Sequence, residues 1–173
     1  AGIEASAPLP RDIWLPGIEV MAARELDGSE EGLYLAVKGG HNAESHNHND
    51  IGHFVVYRDG RPLIIDAGVE TYSRKTFSAQ RYEIWTMQSA YHSLPTIDGF
   101  QQAPGRDFRA VDVRRAVSEQ TARLTLNIAG AYLPEAGVEA WLRSVELERG
   151  KAVMLVDEYR LSRRPSRLTL SLM

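Results

Sequence analysis

The residues best suited to chemistry in this 173-residue chain are its five histidines, and all of them lie between His41 and His92. His41, His46, His48 and His53 crowd one stretch whose core reads Gly39-Gly40-His41-Asn42-Ala43-Glu44-Ser45-His46-Asn47-His48-Asn49-Asp50. The stretch is polar and sits between two apolar runs, where a binding loop on a rigid scaffold belongs. Imidazole is the commonest metal ligand among side chains. The chain has no cysteine, so thiolate zinc ribbons, iron–sulfur ligation and cysteine nucleophiles are excluded, and any metal must be held by His, Asp or Glu. If the backbone is extended, residues two apart share a face, and His46 and His48 would then serve one site. A bare His-x-His is equally what a solvated, histidine-rich loop looks like.

Two residues outside that loop bear on the choice. Asp66 follows the apolar run Leu63-Ile64-Ile65, and a carboxylate buried there must be paired, capped or metal-bound. It could instead cap the turn at Ala67-Gly68. His92 lies in Tyr91-His92-Ser93-Leu94-Pro95, where a lone histidine is more often a hydrogen-bonded core residue. Zinc takes about four ligands, and three protein ligands with one open position are chemically ordinary. His48, Asp66 and His92 would supply three.

The elements that must position these groups read as strands. Alternation predicts strands at Ile18 to Arg24, Leu33 to Val37, Ile51 to Tyr57, Arg61 to Ile65, Phe108 to Val117, Arg123 to Ile128, Val138 to Glu148 and Ala152 to Arg160. Asp59-Gly60 is a tight hairpin turn by its residue types, Arg149-Gly150 is another turn, and Asp98-Gly99 a third. Pro8, Pro10 and Pro16 predict a non-regular lead-in. Ser78 to Ala90 lacks alternation and carries Tyr82, Trp85 and Met87, which predicts a short helix or an ordered loop crossing the sheets. The expected fold is all-β, an antiparallel β-sandwich forming one domain over residues 1–173 and truncated at both ends. The chain starts at Ala1 rather than Met, and Leu168, Leu170 and Leu172 alternate up to the last residue, Met173, as in a strand that has been cut.

Composition narrows the partners. Lys and Arg number 20 against 23 Asp and Glu, a formal charge of −3, so there is no basic field of the kind that draws nucleic acid or anionic lipid. No apolar run approaches the roughly 18 residues a helical membrane span needs. Neither nucleic acid nor a membrane is therefore an expected partner.

The block from Gly39 to Gln102, and above all HNAESHNHND, PLIIDAGVETYS, RYEIWTMQS and YHSLPTIDG, closely resembles the C-terminal β-domain of the heparinase II/III-like polysaccharide lyases. That resemblance implies a parent protein in which a helical toroid joins this β-sandwich and uronic-acid-containing polysaccharides are cleaved by β-elimination. It implies that His46 faces the sugar cleft as the catalytic residue of this domain, while His48, Asp66 and His92 hold a zinc ion (Zn2+) that mainly shapes the site. Most proton transfer in such lyases is assigned to a Tyr and a His of the toroid, to which nothing in this chain corresponds. Arg81 is a candidate substrate contact, because a guanidinium can clamp a carboxylate, and Trp85 could lie against a sugar ring. Arg81 could also pair with Glu83 or Asp66, and Trp85 could anchor a core. Asn47 and Asn49 could orient the histidines by hydrogen bonds.

Two other readings compete. Gly40 through His48 fits the G-x5-H-x-H opening of a cupin-type metal-binding barrel, yet the Glu expected shortly after the second His is missing. A non-catalytic carbohydrate-binding module, whose metal only ties strands together, also accommodates the loop.

Overall fold

A computed structural model describes residues 9–173; Pro8, part of the expected lead-in, lies outside the described residues. Thirteen strands are present within them: β1 (Asp12–Leu15), β2 (Val20–Arg24), β3 (Leu33–Lys38), β4 (His41–Asn42), β5 (Phe54–Arg58), β6 (Arg61–Ile64), β7 (Pro95–Ile97), β8 (Gly105–Arg109), β9 (Val111–Val117), β10 (Thr121–Asn127), β11 (Val138–Glu148), β12 (Ala152–Leu161) and β13 (Leu168–Leu170). One sheet has the order β1-β2-β3-β5-β6 and a second the order β12-β11-β10-β9, while β13-β7 and β4-β8 form two-stranded pairs. Every pairing is antiparallel.

Alternation places the core. Ala122, Leu124 and Leu126 on β10 and Trp141, Val145 and Leu147 on β11 are buried at every second position. They share one cluster with Met21, Ala23, Leu35, Val37, Phe54 and Val56 of the first sheet. The sandwich is thus closed by two apolar faces, as the period-two pattern requires.

At Asp59-Gly60 both residues have positive φ, 51° and 71°, the backbone of a tight hairpin turn, and β5 pairs with β6 across it. Four details differ from the sequence reading. The lead-in contains β1, which fits between Pro10 and Pro16 as a short edge strand against β2, a place where flanking prolines cost no ladder bond. Ile51 and Gly52 form a turn before β5 instead of starting it. Phe108 to Val117 is not one strand: the chain breaks at Ala110, so that β8 pairs with β4 and β9 with β10. Ser78 to Ala90 holds no α-helix but successive 3-10 turns at Arg81–Glu83, Trp85–Met87 and Ser89–Tyr91.

Candidate metal centre and an exposed histidine

Backbone geometry separates the two histidines of His-Asn-His. Residues 43–46 turn, and His46 adopts a left-handed φ of 58°, so strand alternation does not apply and the two side chains part. His46 is exposed. Its ring lies parallel to Tyr72 at a centroid distance of 6.1 Å and edge-on to Phe77 at 6.1 Å, and both of those aromatic residues are exposed as well. His48 turns inward and is buried.

His48, Asp66 and His92 come together, with one ligand atom from each lying within 4.8 Å of the others. The His48 and His92 rings stack at 5.3 Å, and Nδ1 of His92 stands 3.5 Å from Oδ2 of Asp66. Ligands sharing a tetrahedral ion at about 2.1 Å stand roughly 3.4 Å apart, so this last pair already has ligand spacing. His92 is fully buried, yet neither of its ring nitrogens has a hydrogen-bond partner among the described residues, an arrangement that is costly unless a ligand meets them. Burial lowers its pKa against the opposing pull of Asp50 and Asp66, which keeps the imidazole neutral and its lone pair free. Two imidazoles and a carboxylate fit the zinc donor set. Asp66 uses its two oxygens differently: Oδ1 accepts the Gly68 amide at 2.6 Å, capping the turn, and Oδ2 faces the histidines.

Sequence reading assigned no role to His53, which is buried against the same cluster, its ring 4.9 Å from that of His92. Its Nδ1 accepts the Ser93 amide at 2.9 Å, and its Nε2 lies 3.4 Å from Oδ2 of Asp66. Burial, followed by the neighbouring His92, pushes its pKa down to about 4.

A buried polar frame holds this loop. Gln102 accepts from Asn42 and from the Ile51 amide through Oε1, and donates Nε2 to the Ile51 carbonyl at 2.7 Å. Asn49 donates to the Gln102 carbonyl, and Asn47 donates to the carbonyl of His48. The two asparagines therefore brace backbone, not imidazole rings. Lys38 reaches Asp50 at 2.8 Å and Glu44 at 3.3 Å; burial opposes its charge, but the two carboxylates prevail and raise its pKa. From the opposite sheet the fully buried Arg143 pairs with both oxygens of Asp157 and donates Nη1 to the carbonyls of Gly52 and Ser93. Gly52 has a φ of +85°, and a Cβ there would stand 2.9 Å from Ile128, so only glycine fits this approach.

Arg81 stands apart from the cluster. Its Nε and Nη2 donate to the Asn47 carbonyl and its Nη1 to that of Thr76, so it braces the histidine loop and pairs with neither Glu83 nor Asp66. Trp85 is not a core anchor: it is exposed, packs edge-on against the exposed Tyr91 at 5.2 Å and bonds Glu70. The hydroxyl of Tyr82 bonds Asn47 at 3.0 Å.

Comparison with known proteins agrees with this architecture. The family described as Heparinase II/III-like, C-terminal matches residues 14–170. No curated protein sequence matches. Among solved structures, a mutant of the heparan sulfate lyase HepC from Pedobacter heparinus superposes with a TM-score of 0.71 at 21% identity, covering 90% of this chain and 23% of that one. A heparinase III described as the BT4657 gene product gives 0.66 at 17% identity, covering 91% and 23%. Another heparinase III gives 0.62 at 18% identity, covering 90% and 23%. The chain thus spans less than a quarter of the structures it matches.

Proposed function

The chain belongs to the heparinase II/III-like C-terminal family, and from that premise we propose that it is the β-domain of a polysaccharide lyase that cleaves uronic-acid-containing polysaccharides by β-elimination. The observation that carries this reading is the parting of His46 from His48. One histidine is presented on an exposed aromatic surface, and the other is withdrawn into a buried His-Asp-His cluster.

Elimination removes the C5 proton of a uronate, forms the C4–C5 double bond, breaks the C4–O bond and returns a proton to the departing oxygen. The uronate carboxylate must also be neutralised. His46 is the group of this domain placed to exchange a proton or a hydrogen bond with sugar, and its left-handed backbone is a strain that a functional position tolerates. The exposed rings of Tyr72 and Phe77 give the imidazole a fixed setting and an apolar surface against which a sugar ring can lie. The remaining acid, base and carboxylate-binding groups belong to the helical toroid of the parent chain. His48, Asp66 and His92 would hold a zinc ion, which would cross-link the histidine loop, the end of the β5–β6 hairpin and the segment before β7. Arg81 supports the cleft wall through the backbone it braces, with the substrate contact drawn from its remaining N–H groups.

The test is ultraviolet absorbance of the unsaturated uronate product, run on the parent protein with heparan sulfate and other uronate polymers. Product formation that falls by roughly 10²–10⁴ on His46→Ala, with the fold intact, supports the reading. A parent enzyme that cleaves none of these polymers, or one indifferent to His46, overturns it.

A further inference from the structure

We propose that His53 is a positioning residue for Asp66: it carries its proton on Nε2, donates it to Oδ2 of the carboxylate, and is thereby excluded from the metal's own ligand set. The inference rests on the metal reading of the His48, Asp66 and His92 cluster.

It follows from counting protons. A neutral imidazole has one N–H and one lone pair. The Ser93 backbone can only donate, and its amide meets Nδ1 of His53 at 2.9 Å, so the lone pair lies on Nδ1 and the hydrogen on Nε2. An N–H nitrogen has no lone pair to offer a metal. That nitrogen is buried, has no other partner among the described residues, and faces Asp66 Oδ2 across 3.4 Å. A shift of about 0.2–0.4 Å brings the pair into N–H···O range. The Ser93 amide is itself fixed, since the Ser93 carbonyl takes Nη1 of Arg143 at 2.6 Å and Arg143 is clamped by Asp157. With Oδ1 held by Gly68 and Oδ2 by His53, the carboxylate plane has one orientation. Metal sites commonly gain 10–100-fold in affinity from such outer hydrogen bonds.

The experiment measures zinc affinity of the chain by chelator competition, with cobalt substitution to report ligand number and imidazole ¹⁵N shifts to report the tautomer. His53→Leu should weaken zinc 10–100-fold, and His53→Gln, which keeps a donor, should recover part of the loss. In an Asp66→Ala background His53→Leu should cost nothing further, which a purely structural role would not produce. The cobalt spectrum should keep its ligand count in His53→Leu. Unchanged affinity in that variant, a lost ligand in the cobalt spectrum, or a wild-type His53 protonated on Nδ1 would each overturn the proposal. Should His53→Leu not fold, the Gln variant and the wild-type tautomer decide. A wild-type chain that binds no zinc defeats the metal reading instead, and its tautomer still decides whether His53 faces Asp66 with a proton.

Discussion

His46 and His48 lie two residues apart and face different surroundings because a single left-handed residue ends the alternation that would have paired them. Elemental analysis can check the consequence. His48→Ala and His92→Ala should bring bound zinc to background, whereas His46→Ala should leave it near the wild-type level; loss of zinc on His46→Ala would mean that the two histidines share an ion. Much of this cluster is written in residue types, since without cysteine only His, Asp and Glu can hold a metal. Its membership was not legible from spacing, and followed from the resemblance of whole motifs around His48, Asp66 and His92. The role of His53 was hidden for a specific reason: it depends on a backbone amide, that of Ser93, and every residue has one. Gln102 was hidden likewise, because its side chain serves the Ile51 backbone far away in sequence.

The strands were legible wherever one face is buried and the turn chemistry is strict. β5 ahead of its Asp59-Gly60 turn and β11 ahead of its Arg149-Gly150 turn are of this kind, with buried residues at every second position, and β10 alternates likewise although a longer connection joins it to β11. The failures fall where the backbone leaves the sheet. Ala110 interrupts Phe108 to Val117 without any change in residue type that marks a break, and the turns from Arg81 to Tyr91 are too short for a helical period. Arg143 shows what joins the elements. It sits among apolar residues on the core side of β11, where a charge is expected only if fully paired, and its donors tie the second sheet to the turn before β5 and the segment before β7. Arg143→Met should therefore destabilise the fold by about 3–5 kcal/mol, as loss of one partner of a buried ion pair does, and should weaken zinc as well. Urea unfolding measures the first effect and chelator competition the second. A loss below about 1 kcal/mol, the size of a surface pair, would show that Asp157 and the two carbonyls are satisfied without it.

At the scale of the whole molecule the cluster joins segments distant in sequence, so an ion there would act on stability by mass action, binding the folded chain and not the unfolded one. Removing zinc with a strong chelator should lower the melting temperature while the sandwich stays folded, because its core of two apolar faces is independent of the cluster. A melting curve unmoved in a sample shown to have lost its metal would deny the ion a stabilising part. The opposite relation is expected for activity, which the sandwich alone should not supply. His46, Tyr72 and Phe77 form one exposed group and Trp85 and Tyr91 an exposed pair, and grouped exposed aromatic side chains mark a surface that meets a partner or a ligand. Elimination needs a base, an acid and a group that neutralises the uronate carboxylate, all held against the sugar with water excluded. Here the nearby cations are mostly engaged: Arg81 spends three N–H groups on the carbonyls of Asn47 and Thr76 and keeps only its remaining N–H groups for a sugar, and Lys38 is paired with Asp50 and Glu44. The 173-residue chain should therefore form no unsaturated uronate above the level of its own His46→Ala variant when incubated with heparan sulfate or alginate. Adding the parent protein's helical region should restore product formation. Robust turnover by the chain alone, abolished by His46→Ala, would place the acid and the carboxylate-binding group within these residues, with Tyr72, Tyr82 and Arg81 the first to be substituted.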